Sequence, residues 1–558
     1  MKLNGAAITI ETCIAHGVRD IFGIPGGSVL NLYDELSRRS DRITHRLTCH
    51  EQGAAHAADG YARVTGQPGV VLATSGPGAT NLVTGIATAC LDSSPLVAIT
   101  GNVPLPLMGK DSFQEVDITG ITMPITKHGF LVKNINDLEQ TVCEAFRIAR
   151  SGRPGPVLVD IPKDVQMAET EFYGGTPLPD LLPNIPAAQD LDTAAEMINS
   201  AERPFIYAGG GVVLSDSSEL LQQLAESLNA PVGFSLMGLT ALDYNHPLNM
   251  GMTGMHGVPE ATQINAEADL VIGLGVRFSD RATGDIDSYR HRTKILHIDI
   301  DNAEIDKNVH ADFSLQGDLR VVLPQLIARI RPTDRSAWLD RAQDFKDAMR
   351  SAPLLRSSGP HDSLSPYQII DAVRQHAADD TVVVTDVGQH QMWVAQYYRF
   401  ARPRTLLTSG GLGTMGFGMG AAIGACLANG SARTVLFTSD GSFHMNMNEF
   451  ATAVRFGLPI VVVILDNAVL GMVRQWQSLF YEQRFAETTL DRPTDYVKLA
   501  EALGGRGFRA TGPEQLHQAL DAAFAQPGPA LVTCPISPDA QVYPIIPPGG
   551  SRRDMIIC

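Results

Sequence analysis

Seven cysteines in 558 residues are odd in number, scattered, and without a Cys-x-x-Cys pair (Cys13, Cys49, Cys90, Cys143, Cys426, Cys534, Cys558). That usage leaves no disulfide framework and no thiolate metal site, and it suits a reducing compartment. Long apolar runs are missing too: no stretch approaches the eighteen or so residues that a membrane span needs, and Glu11 interrupts any signal-peptide core. Positive charge is short, with 43 Lys and Arg against 60 Asp and Glu, a formal net charge of −17. Nucleic acid and anionic membrane are therefore poor partners, and the expected location is cytoplasmic. An anionic substrate would have to be met by locally placed Arg and Lys.

What is present in quantity is chain length and glycine. The 558 residues exceed what one core holds, and roughly 150 residues per domain suggests three or four domains. The 52 glycines suit ligand loops in which the backbone must be approached closely. Residues 167–190 and 332–365 read as linkers, the first rich in Pro and Gly without periodicity, the second partly helical around 338–349.

The most informative stretch runs from Ser439 to Trp476. Residues 434–438 form a short apolar run ending in Ser-Asp-Gly, 449–456 carry helix formers with Gly457 as the stop, and 459–465 are a β-branched run ending in Asp-Asn. The spacing predicts a β-α-β unit. Asp440 and Asn467 then both stand at the carboxyl end of a parallel strand, where open α/β sheets bind ligands. A carboxylate, an amide oxygen and a backbone carbonyl such as that of Val469 make a hard, oxygen-rich set suited to Mg²⁺ and a diphosphate. On spacing alone, Asp440 serves equally as a helix cap and Asn467 as a turn residue.

Elsewhere the chain repeats this kind of signal. A glycine turn, Gly26-Gly27-Ser28, follows a short strand; Glu51 falls at a strand-to-helix junction; Ser75–Asn81 is a Gly-rich turn inside another β-α-β unit. An acid in a first helical turn is also what the helix macrodipole favours. Phe113 and Gln114 lie in a polar loop, and Lys163 follows a strand. Between the linkers, strand ends carry Gly209-Gly210-Gly211, Gly275 with Arg277, and Asp299. Glycines near a pyrophosphate, Arg on phosphate and an acid on ribose suit a dinucleotide, although this middle stretch has no clean Gly-x-Gly-x-x-Gly. Met472 and Trp476 lie four apart, on one helical face.

Taken together, Asp-Gly-Ser at 440–442, Asn467, Gly-Met-Val-x-Gln-Trp at 471–476 and His-Glu-Gln-Gly-Ala at 50–54 resemble the thiamine diphosphate enzymes, specifically the acetohydroxyacid synthase catalytic subunits. The resemblance covers nearly the whole chain. It implies three α/β domains with mostly parallel sheets: a pyrimidine-binding domain over 1–166, a central FAD-binding-like domain over 190–332 and a diphosphate/Mg-binding domain over 366–545. It implies decarboxylation of pyruvate and its ligation to a second 2-oxo acid, pyruvate or 2-oxobutyrate, the first common step of branched-chain amino acid synthesis.

The resemblance also assigns roles. Glu51 would bond the aminopyrimidine of the cofactor, Gly27 would face the reacting carbon, and Phe113, Gln114 and Lys163 would line the substrate site. Met415 would wedge between the cofactor's rings, while Met472, Trp476 and Arg281 would select the second substrate. Gly388, Gln389, His390, Gly413, Gly441, Ser442 and Gly471 would contact the diphosphate, with Asp440, Asn467 and Val469 on Mg²⁺. A structural FAD would be held by Arg153, Gly209, Gly210, Gly211, His256, Gly275, Arg277, Asp299 and Asp318. The assembly implied is a homodimer or tetramer with active sites between subunits, with a small regulatory subunit as a further partner.

Three departures from the family pattern stand out: Ser439 for the first Gly of Gly-Asp-Gly, Ser279 within the arginine motif, and Met419-Gly420 where Leu-Pro is common; Asp466 for the usual Asn is milder, since the branch resembling isozyme II also has Asp-Asn there. A flavin-free catabolic acetolactate synthase, another thiamine-dependent decarboxylase or carboligase, and a non-catalytic binding paralogue are the alternatives.

Overall fold

The computed structural model describes residues 1–350 and 364–557. Cys558 and residues 351–363 of the expected second linker lie outside them.

Three six-stranded sheets, each wholly parallel, form the centres of three α/β layers. Their central strands are near-continuous apolar runs, as in Gly69–Ala73 (GVVLA) and Ile460–Asp466 (IVVVILD). Sheets covered by helices on both faces demand this, since neither face of the strand meets water.

In the first sheet the neighbours are Thr44–Leu47, Asp20–Gly23, Gly69–Ala73, Leu96–Asn102, Pro156–Pro162 and His128–Leu131. In chain order this is second, first, third, fourth, sixth, fifth. The last sheet repeats it with Leu406–Leu407, Val382–Thr385, Thr434–Ser439, Ile460–Asp466, Ala530–Pro535 and Arg506–Arg509. The middle sheet differs: Asn249–Met252, Val232–Phe234, Pro204–Ala208, Leu270–Leu274, Lys294–Asp299 and Phe313–Gln316 give the order third, second, first, fourth, fifth, sixth. That is the doubly wound dinucleotide-binding order. In every sheet the crevice for a ligand opens where the order reverses, between the first strand and the next-outward strand of the other half.

The reversal points fall on the glycine loops. They place Gly26–Ser28 beside Thr74–Gly76 in the first sheet, Gly209–Gly211 beside Gly275 in the middle, and Asp386–Gly388 beside Asp440 in the last.

The outer layers meet through two helices, Glu51–Thr65 and Phe417–Ala428, whose facing residues are small. A Cβ at Gly424 would run into the Ala57 carbonyl, and one at Gly60 into the Ala421 carbonyl. Gly424→Ala should therefore destabilise the fold by about 2 kcal/mol, the overpacking cost outweighing the roughly 1 kcal/mol that Ala gains over Gly within a helix. A thermal melt of the variant checks the sign.

The expected linker at 167–190 is not all irregular. Glu169–Glu171 pairs antiparallel with Lys2–Asn4, a ladder too short to leave a periodic signature in sequence. Among the described residues no helix is long and apolar enough to cross a membrane.

Candidate active site

At the reversal point of the last sheet, Asp386 is buried and organises the loops around it. Its carboxylate accepts from Gly416 N at 2.8 Å, Val387 N at 3.1 Å and Thr438 Oγ1 at 3.3 Å, while burial pushes it up to about 6. Gly416 follows Met415, so Asp386 fixes the glycine turn that presents that thioether. Ser442 Oγ donates to the Val387 carbonyl at 2.7 Å, tying the two loops together.

Asp440 is the first residue of the Asp440–Asn446 helix and is 4 % exposed. Its Oδ1 is buried without a hydrogen-bond partner, and burial with the neighbouring Asp466 charge pushes the carboxyl up to about 7. Asn467 Oδ1 accepts from Val469 N at 3.3 Å across Ala468, which is held in the left-handed region at φ 54°. A non-glycine residue there is strained, and such strain clusters at ligand sites. His390 is likewise buried, with Nε2 unpartnered, and burial pushes it down to about 3. Buried polar atoms normally find partners, so an oxygen and a ring nitrogen left over at one sheet edge fit a cation and an anionic group.

Gln389 is locked by Gln475 and the Ala540 carbonyl and touches Asn467 Nδ2 at 3.4 Å. A side chain at Gly471 would collide with it. Gly441 lies near Leu470 and Met415, with room for one carbon only.

From this edge a cavity of about 1420 Å³ runs into the middle layer. Ligand sites usually span about 300–1,000 Å³, so there is space for more than one small substrate. Gly388, Gly413, Met415, Met472 and Trp476 of the last layer line it together with Gly210, Gly211, His256, Gly275, Arg277, Asp299 and Asp318 of the middle one. Burial pushes Asp299 up to about 6, and Arg320 Nη2 holds Asp318 at 2.6 Å. Arg153 reaches the cavity from the first layer, but its guanidinium is engaged by Ser93, Asp301 and Glu304. Gly209 stands off the cavity: it is small because a Cβ would strike the Gly275 carbonyl. In the same wall, the Arg281 guanidinium of the middle layer lies 5.6 Å from the Trp476 ring centroid of the last, a cation–π arrangement.

The first sheet's edge forms a second, separate cluster. Glu51 opens its helix and accepts from Asn81 Nδ2 at 3.0 Å, and Gly78 leaves space 3.3 Å from its Oε1. Gly27 is exposed with nothing packed on it. Ser28 Oγ and Thr74 Oγ1, 2.9 Å apart, brace that turn. Gln114 takes φ 60° and lies against Gly76, Phe113 is 88 % exposed, and Lys163 is half-buried at the start of a short helix. None of Gly27, Glu51, Phe113, Gln114 and Lys163 lines the large cavity.

Thiamine pyrophosphate enzyme domains match this chain in series: the N-terminal TPP binding domain over residues 3–121, the central domain over 191–326 and the C-terminal TPP binding domain over 386–534. A probable acetolactate synthase large subunit of Methanocaldococcus jannaschii is 44 % identical, covering 99 % of this chain and 95 % of its own. The isozyme 2 and isozyme 1 large subunits of Escherichia coli K12 are 42 % and 44 % identical, over 99 % and 100 % of this chain and 99 % and 98 % of theirs.

This chain belongs to the acetolactate synthase large-subunit family.

For this family member, the sequence reading passed over several residues that build the site. Glu449, seen there only as a helix former, is fully buried and accepts from the backbone N–H of Cys49 and His50, just before Glu51. Arg63 forms a buried ion-pair cluster with Asp59 and Asp92, and Asp92 in turn accepts from Gly410 N and Gly411 N in the Met415 loop. An acid in a first helical turn gives no hint of a partner about four hundred residues earlier. The acetolactate synthase site is thus braced across its outer domains by carboxylates.

Proposed function

We propose that the protein is an acetolactate synthase catalytic subunit, converting two molecules of pyruvate to 2-acetolactate and CO₂, or pyruvate and 2-oxobutyrate to 2-aceto-2-hydroxybutyrate and CO₂. The observation that carries this reading is the Arg281–Trp476 pair in the wall of the large cavity that Met415 also lines. A guanidinium suits the carboxylate of a 2-oxo acid, and the indole beside it sizes the alkyl group.

Thiamine diphosphate, when bound, supplies the electron sink that lets a 2-oxo acid lose CO₂. Asp440, Asn467 and the Val469 carbonyl would hold Mg²⁺, with Gly388, Gln389, His390, Gly413, Gly441, Ser442 and Gly471 around the diphosphate. Met415 would fix the cofactor's bend. Glu51 would share a proton with the aminopyrimidine ring, with Gly27, Phe113, Gln114 and Lys163 on the substrate side.

Because Glu51 stands apart from the large cavity, the reading includes a homo-oligomer in which the first domain (1–166) of one copy closes on the last domain (366–545) of another. FAD would occupy the middle domain (190–332), its pyrophosphate at Gly210 and Gly211, supported by the doubly wound strand order there. Small 2-oxo acids and a small regulatory subunit are the partners of this cytoplasmic enzyme.

The test is product formation from pyruvate by purified protein with thiamine diphosphate and Mg²⁺, with and without FAD. Acetolactate that requires FAD is expected. Acetolactate from flavin-stripped protein would favour a catabolic, flavin-free enzyme, and CO₂ release without carbon–carbon bond formation would sink the synthase reading. In competition between pyruvate and 2-oxobutyrate, Trp476→Ala should lower discrimination about ten-fold, the scale of one methylene in an apolar pocket.

A further inference from the structure

A second, smaller cavity of about 110 Å³ lies where the C-terminal segment crosses the middle domain. Thr262, Asn265 and Arg552 contribute to its wall. Thr262 and Asn265 are 3 % and 2 % exposed, and Thr262 Oγ1, Asn265 Oδ1 and Arg552 Nη2 are buried without a well-formed hydrogen bond, the uncharged Tyr289 hydroxyl being the polar group beside Asn265 and Arg552. Arg552 stacks on Tyr289, its guanidinium carbon 4.3 Å from the ring centroid. No ion pair to Arg552 occurs among the described residues, and burial lowers its proton affinity. Among the described residues the only acid in the wall, Asp280, has a side chain 82 % exposed and lies 3.9 Å from Arg281.

A half-buried guanidinium with Nη2 out of water and no counter-charge is costly, and a water molecule filling the space would solvate it without neutralising it. We infer that this cavity is a binding site for a small monovalent anion, chloride or the carboxylate of a very short acid, held by Arg552 with Thr262 and the Asn265 amide. The amide can turn its N–H₂ toward the ligand, since its O and N are interchangeable in shape. The volume admits several water-sized groups, room for a short anion with water beside it.

The site is distinct from the large cavity but shares a wall with it. Ile546 N donates to the Met255 carbonyl at 2.9 Å, Met255 N to the Arg281 carbonyl at 2.7 Å, and Asp285 N to the Gly550 carbonyl at 3.0 Å. An anion here would therefore seat the C-terminal segment against the loop that carries Arg281. The inference does not depend on the catalytic reading.

The test uses the full chain with thiamine diphosphate, Mg²⁺ and FAD, melted in chloride, acetate or gluconate at equal ionic strength. Chloride and acetate should raise the melting temperature along a saturating curve, and gluconate should not, because only a ligand that fits the native state stabilises it by mass action. Arg552→Gln should weaken the apparent anion affinity about ten-fold, while Arg484→Gln, in the wall of the large cavity alone, leaves it nearly unchanged. Should Arg552→Gln fail to fold, Arg552→Lys, which keeps the charge, should retain the saturating response. In crystals grown with bromide, an anomalous peak should touch Arg552. Equal curves in all three salts, a response lost in Arg484→Gln but kept in Arg552→Gln, or a water-filled cavity only would each overturn the site.

Discussion

Glu51→Gln should cut acetolactate formation at least about 100-fold while the protein still folds and still binds thiamine diphosphate. The variant is nearly isosteric. Its amide oxygen can keep the bond from Asn81 Nδ2, so the start of the helix is undisturbed. What it loses is the ability to share a proton, since an amide cannot stand in for a carboxyl near neutral pH. The relevant readout is kcat alongside cofactor affinity measured by direct titration. A fall in affinity with unchanged kcat would mean Glu51 only helps to hold the cofactor, and full activity in the variant would remove it from the chemistry.

Glu449→Ala should be the most damaging substitution for stability, lowering it by about 3 kcal/mol or more. The carboxylate is 0 % exposed and takes three donors: Cys49 N at 3.1 Å, His50 N at 2.9 Å and Thr452 Oγ1 at 2.6 Å. Deleting it strands two backbone donors in the interface between the first and last domains, at about 1–3 kcal/mol for each unmet group, without full additivity. Glu449→Gln keeps one acceptor and the volume, so it should cost less than the alanine. Melting curves of the two variants check the order. An alanine variant as stable as the parent would show that those amides find other partners.

How much of this was legible in the sequence depends on the range of the contact involved. The β-α-β unit around Asp440 and Asn467 was readable because strand, stop and strand follow one another within forty residues, and each leaves its own periodicity. The glycine loops of the middle domain were readable as strand ends, but not the order of its strands, because order is decided by packing between distant segments. Gly209 and Gly211 looked alike in sequence and differ in surroundings: only Gly211 lines the cavity, although both stand against Gly275. Glu449 was invisible as a brace, since its partners lie about four hundred residues away and an acid in a first helical turn already has a local explanation.

The two outer sheets share one strand order, and the helices Glu51–Thr65 and Phe417–Ala428 occupy the same place in it, each between the second and third strands. Those helices are also the pair that pack together. The chain thus contains an approximate internal dyad, its two outer units meeting through equivalent faces. Ala57 with Gly424, and Gly60 with Ala421, are then one contact written at two addresses. In both the obstacle is backbone, which no change of side chain on the facing helix can move, so each half holds its mate to glycine independently of what that mate's neighbours become.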